Sequence, residues 1–244
     1  MSVNIYVMSL KRFKSGDYES PLQQVFGAEN VTRVTPDGID DRTSDPPGTI
    51  AAAFMDCVRD DEISLLKTFI ERQSKTSMDL SDIPWHDEDE VCFAEQATNL
   101  EAASTYAHWL GHQDSNPIFE VSDPDDFGAH PVWDLDDDAT EYPQLVFHDM
   151  YNGYYLPVDF PNVFDAPTRV ECVKRTIGSS VRLRKELRSV GKTLGLSWQN
   201  EVGLVDESQL SHGEAHSIVV EALMQLSRAA EVSCTRQLPI IFEG

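Results

Sequence analysis

Carboxylates and imidazoles are the side chains with the most chemical reach in this 244-residue chain, and they are crowded together. The stretch PVWDLDDDATEY (131–142) alone holds Asp134, Asp136, Asp137, Asp138 and Glu141. Clustered oxygens of this kind can hold a hard cation such as Ca²⁺ or Mg²⁺, or present negative charge to a cationic surface. Which applies depends on the cations that answer them. The nearest basic residue upstream is Lys75 and the nearest downstream is Arg169, so residues 76–168 carry twenty-one acids and no Lys or Arg. Five of the seven histidines, His86, His108, His112, His130 and His148, lie in the same window.

The net charge of −23 is regional. Residues 1–35 carry four basic and three acidic side chains, residues 36–150 five and twenty-eight, and residues 151–244 ten and eleven. A halophile's acidity would be spread over the whole surface, and here both ends are close to neutral. Two like charges about 7 Å apart repel by roughly 2 kcal/mol at an effective dielectric near 20. Selection for folding alone would relieve such repulsion with interspersed lysines. A basic partner offsets it on binding and is steered to the site by it. The expected partner is therefore a basic protein, a toxin or a nucleic-acid-binding enzyme. Nucleic acid and anionic membranes are repelled at long range, and neither is expected as a partner.

Metal chemistry has weaker patterns behind it. Asp123 to Asp134 resembles an EF-hand loop, but Phe127 stands where an oxygen ligand belongs and Asp134 replaces the bidentate Glu. His108 and His112, like His212 and His216, are four apart, a spacing that on a helix could serve zinc, yet neither pair is H-E-x-x-H. His148-Asp149 resembles the metal-binding doublet of HD phosphohydrolases, which belongs on a helix, whereas the surrounding composition favours a strand. There is no P-loop, G-x-G-x-x-G or G-x-S-x-G. No cofactor, metal or catalytic residue is assigned.

Aromatics among the acids sharpen the binding reading, because Trp and Tyr anchor interfaces. Trp85 lies in PWHDEDE and Trp133 in VWDLDDD, while Trp109 on its helix is better placed for the core. The candidate partner-binding residues are Trp85, Asp87, Glu88, Asp89, Glu90, Trp133, Asp134, Asp136, Asp137, Asp138, Glu141 and Tyr142.

The elements that must position them follow from periodicity. NIYVMSL (4–10) reads as a strand, as do PIFEVS (117–122) and QLPIIFE (237–243). Helices are predicted over 20–27, 49–60, 61–74, 97–111 and 179–195. In the last, Leu183, Leu187, Val190 and Leu194 form one stripe and Gly195 the stop, and Arg182, Arg184, Lys185, Arg188 and Lys192 occupy the other faces. That basic helix either contacts an anion or pairs with the chain's own acids, and the net charge favours the second. Ser211 to Glu214 has capping-box spacing, opening a helix to about residue 230. QLVFHDMYNGYYLPVDF (144–160) reads as a hairpin turning at Asn152-Gly153, with Pro157 ending its second strand early or placing it at an edge. Intermixed helices and strands without regular alternation imply an α+β fold: a mixed, mainly antiparallel sheet packed with amphipathic helices. The chain reads as one domain over 1–244, with a possible subdivision near 165–175.

The cysteines, Cys57, Cys92, Cys172 and Cys234, form no C-x-x-C pair. The N-terminus lacks a secretory pattern and no apolar run is long enough to span a bilayer, which points to the cytoplasm. The profile is that of an acidic inhibitor such as a bacterial immunity protein or antitoxin. It would occlude a basic toxin enzyme, for example a nuclease, and one variant is DNA mimicry, with spaced carboxylates imitating duplex phosphates. The alternatives are a metal-dependent hydrolase using the Asp/His cluster and an acidic scaffold without inhibitory activity.

Overall fold

The computed structural model describes residues 2–8, 34–35, 38–39, 93–112, 127–135, 140–167, 174–207 and 213–243. The helices expected over 20–27, 49–60 and 61–74 and the strand over 117–122 lie outside them.

Ten short strands are described: β1 (Ser2–Val7), β2 (Val34–Thr35), β3 (Gly38–Ile39), β4 (Phe93–Thr98), β5 (Asn152–Leu156), β6 (Phe164–Pro167), β7 (Lys174–Ser179), β8 (Ser197–Gln199), β9 (Gly203–Val205) and β10 (Ile240–Glu243). Six of them form one sheet in the order β4-β1-β10-β5-β7-β6. Every neighbouring pair is antiparallel except β5 and β7, which run parallel. The strands β2 and β3 pair with each other, as do β8 and β9. With its helices, this is the α+β fold that the composition implies, on a mixed and mainly antiparallel sheet.

Alternation along the strands sorts the side chains onto two faces. Val3, Ile5 and Val7 of β1, with Ile240, Phe242 and Tyr155, face the helices and join the main core. On the other face, Tyr6 stands opposite Ile241, Ile241 opposite Tyr154, and Tyr154 opposite Ile177. All four are buried as well. Burial on both sides explains why these strands read as apolar runs rather than as alternating ones.

The helices are α1 (Glu101–Leu110), the short α2 (Pro143–Val146), α3 (Ser180–Thr193) and α4 (Glu214–Arg236). Helix α3 follows its predicted stripe: Leu183, Leu187 and Val190 are fully buried. It ends at Gly195, whose φ of +74° is a conformation that other residues adopt at a cost. There the Leu196 N–H reaches the Gly191 carbonyl oxygen at 2.9 Å and the Gly195 N–H that of Lys192 at 3.2 Å, a Schellman closure. Helix α4 packs on α1, α3 and the sheet through Val219, Ala222, Leu223 and Leu226. It runs on to Arg236 because the buried stripe continues through Ala229, Ala230 and Ser233. The capping-box register is not used: Gly213 is the N-cap and Glu214 stands at the first helical position, without a side-chain cap. No helix among the described residues is long and apolar enough to cross a membrane.

The hairpin expected at Asn152-Gly153 is corrected. Residues 143–146 are helical and Asn152-Gly153 opens β5, which pairs with β10 on one side and β7 on the other. Gly153 is needed for close approach, not for a turn: a Cβ there would lie 2.4 Å from the Thr176 carbonyl oxygen. The β-prone composition of 144–151 is overruled by Pro143 at the helix start and by a distant acceptor for the helix's first N–H groups, described below. Strand β5 does end before Pro157, as that proline requires.

Candidate functional site

The acid-rich stretch 131–142 is anchored in both of its described parts, 131–135 and 140–142. Upstream, helix α1 supplies Thr105, fully buried. Its Oγ1 lies 2.8 Å from the Glu101 carbonyl oxygen and 3.0 Å from that of Phe127. It also takes the Trp133 indole N–H at 3.2 Å, a donor that Phe127 O shares at the same distance. A 3-10 turn, Pro131–Asp134, is capped by His130, whose Nδ1 accepts the Val132 N–H at 3.1 Å. Burial holds the His130 imidazole below its usual pKa, consistent with that acceptor role. Asp134 ends the turn and is exposed.

Downstream, Thr140 Oγ1 accepts the Tyr142 N–H at 3.1 Å, and the Tyr142 hydroxyl lies 3.5 Å from Ser189 Oγ on α3. Glu141 is exposed and Tyr142 half-buried. Helix α2 follows at once. Its first N–H groups receive no local side-chain cap; the buried Glu186 carboxyl group on α3 accepts them, Gln144 N–H on Oε1 at 3.1 Å and Leu145 N–H on Oε2 at 3.0 Å, the latter shared with the Tyr142 carbonyl oxygen at 3.1 Å. Burial lifts the Glu186 carboxyl from 4.5 to about 8, against the two N–H donors and Arg182, which pull it down. Gln144 is held at three further atoms. Its Oε1 accepts the Ser179 N–H at 2.7 Å, its Nε2 donates to the Pro161 carbonyl at 3.0 Å, and its own carbonyl accepts the Tyr155 hydroxyl at 2.6 Å. Helices α1 and α3 are themselves joined, since the Tyr106 hydroxyl of α1 lies 3.0 Å from Thr193 Oγ1 of α3.

The basic helix turns most of its charge elsewhere. Arg182 and Lys185 pair with Asp159, while Arg184 and Arg188 lie 3.5 and 3.9 Å from the buried Glu231 of α4. The Arg188 guanidinium also sits 4.4 Å above the Trp198 ring. Of the acids in the Lys/Arg-free window, Asp159 is met by this helix and Glu95 by Arg228 of α4, at 2.5 Å. Glu101 takes the Tyr151 hydroxyl. Asp134 and Glu141 make no ion pair among the described residues. Leu135, next to Asp134 in the chain, is 39% exposed, so apolar area accompanies the charge there.

Trp133, Asp134, Glu141 and Tyr142 thus lie in the two anchored parts of this stretch, whereas Trp85, Asp87, Glu88, Asp89, Glu90, Asp136, Asp137 and Asp138 lie outside the described residues. Glu186 was not among the candidates. Its signal was nevertheless present: it is the one acid of the basic helix, three residues after Leu183 and four before Val190, on the inward stripe.

The histidine patterns resolve differently. Helix α1 ends before His112, so His108 and His112 are not two turns of one helix, and their rings meet edge-on at 5.2 Å. His148 is buried in the turn after α2, stacked on Tyr155 at 3.8 Å with Nε2 3.1 Å from the Tyr154 carbonyl oxygen, while Asp149 faces outward. Among the described residues no three His, Cys, Asp or Glu side chains stand close enough to share a metal ion.

Residues 1–242 match the family described as "Putative DNA-mimic protein". The chain belongs to this DNA-mimic family. No curated protein and no solved structure matches it. Membership corrects one expectation, that nucleic acid has no part in the chain's partnerships. A DNA mimic works by resembling nucleic acid, and it binds proteins that bind DNA. A basic protein partner fits this membership.

Proposed function

We propose that this DNA mimic is a cytoplasmic inhibitor of the immunity or antitoxin kind, which neutralises a basic DNA-binding enzyme such as a toxin nuclease by covering the surface that holds DNA phosphates. The observation that carries the reading is the window 76–168, with twenty-one acids and no Lys or Arg, in a chain of this family. In it, Asp134, Asp136, Asp137, Asp138 and Glu141, with Asp87, Glu88, Asp89 and Glu90, take the place of phosphates. Trp85, Trp133 and Tyr142 supply apolar area at the edge of the contact. The exposure of Asp134 and Glu141, and the direction of the basic helix toward Asp159 and Glu231, support it by leaving negative charge for a partner.

Binding of this kind is dominated by charge and falls steeply with salt. The test is competition: the chain displaces labelled duplex DNA from a basic nuclease, and displacement weakens as salt rises. Reversing Asp136, Asp137 and Asp138 to Lys slows association and flattens the salt dependence. Unchanged kinetics would remove this stretch from the contact, and no displacement at low salt would remove the inhibitor reading.

A further inference from the structure

We propose that Glu186 is a positioning residue for the acidic surface: by fixing the start of α2 it sets where Glu141, two residues upstream, is presented. The inference rests on the mimicry reading for its consequence, but its geometry stands apart. Helix α2 has four residues, too few to hold itself by its own hydrogen bonds. Both oxygens of Glu186 are committed to its opening N–H groups, at 3.1 and 3.0 Å. Glu141 lies two residues before this helix, and Tyr142 between them leans on Ser189, three residues along α3 from Glu186. Along α3, Glu186 therefore holds α2, Ser189 meets Tyr142, and Thr193 bonds to Tyr106 of α1, the helix whose Thr105 accepts the Trp133 indole N–H.

Helix α3 otherwise carries cations, and four of the five, Arg182, Arg184, Lys185 and Arg188, are directed to Asp159, Glu231 and Trp198. The one acid among them is aimed the other way, at backbone. Substituting for a rigid duplex rewards such fixing, because ordering a loose acidic segment during binding costs affinity.

The experiment uses the full chain in four forms: wild type, Glu186→Gln, Glu186→Ala and the double variant Asp134→Lys/Glu141→Lys. Amide hydrogen exchange is followed over residues 140–147, with β10 and α4 as the internal reference for global folding. Binding to an arginine-rich peptide is followed by stopped flow. Glu186→Gln is expected to speed exchange at Gln144 and Leu145 by about tenfold, and Glu186→Ala by more, with β10 and α4 still protected. Peptide dissociation rises several-fold in both, while the association rate and its salt dependence stay close to wild type. Unchanged exchange over 140–147 in Glu186→Gln overturns the positioning role, whatever the peptide does. Equal association of the peptide with wild type and the Asp134/Glu141 variant sinks the acidic-surface reading instead, and leaves the exchange result to decide Glu186.

Discussion

The Glu186 carboxyl group accepts the Leu145 N–H across forty-one residues of sequence, so the start of one helix is capped from the middle of another. Burial raises this carboxyl to about 8, so the folded chain binds its proton more tightly than the unfolded one. The stability it contributes is complete below about 4.5 and is lost as pH rises through about 8. Urea titrations between these limits should show wild type losing ground to Glu186→Gln as pH rises, by at most about 1.4 kcal/mol per pH unit. Parallel curves for the two proteins would contradict it.

His148 runs in the opposite sense. Burial lowers its imidazole to about 4, partly offset by its backbone hydrogen bonds. Its contribution is complete above 6.5 and is lost as pH falls through about 4. The His148 ring resonances should therefore stay at their neutral positions from pH 8 down to pH 5. A midpoint near 6.5 would mean that the ring is not buried against Tyr155 as described.

Gly153→Ala is expected to destabilise by about 2–4 kcal/mol, through overpacking against a backbone that cannot swing aside. The added methyl would meet the Thr176 carbonyl oxygen at 2.4 Å and its Oγ1 at 2.8 Å. Chemical denaturation measures this directly. A loss below about 0.5 kcal/mol would show that β5 and β7 separate easily.

Two helix ends predict opposite signs. Gly195, at φ +74° with open space around it, should lose about 1 kcal/mol on mutation to Ala. Gln237 closes α4 in the same left-handed region, at φ 56°, so Gln237→Gly should gain about 0.5–1 kcal/mol. Thermal melts of both variants at one pH suffice.

What the sequence disclosed follows from where its signals are local. Leu183, Leu187 and Val190 mark α3, and Gly195 its stop, because periodicity and a left-handed cap depend on near neighbours alone. The helix ending at Gly111, the first strand and the last strand are legible for the same reason. Residues 143–153 were misread because their conformation is imposed from afar, by Glu186 on Gln144 and Leu145 and by Thr176 against Gly153. At the acidic stretch, composition gave the sign of the charge and the residue types. It did not give the indole of Trp133 turned inward to Thr105, nor the cations of α3 turned toward Asp159 and Glu231.

Strand β10 lies between β1 and β5, with Phe242 opposite Ile5. During synthesis, residues 76–168 emerge from the ribosome well before Ile240 to Glu243, and the sheet cannot zip shut until those last residues arrive. For that interval the nascent chain displays charge without shape. It can gather counterions before the sheet is complete.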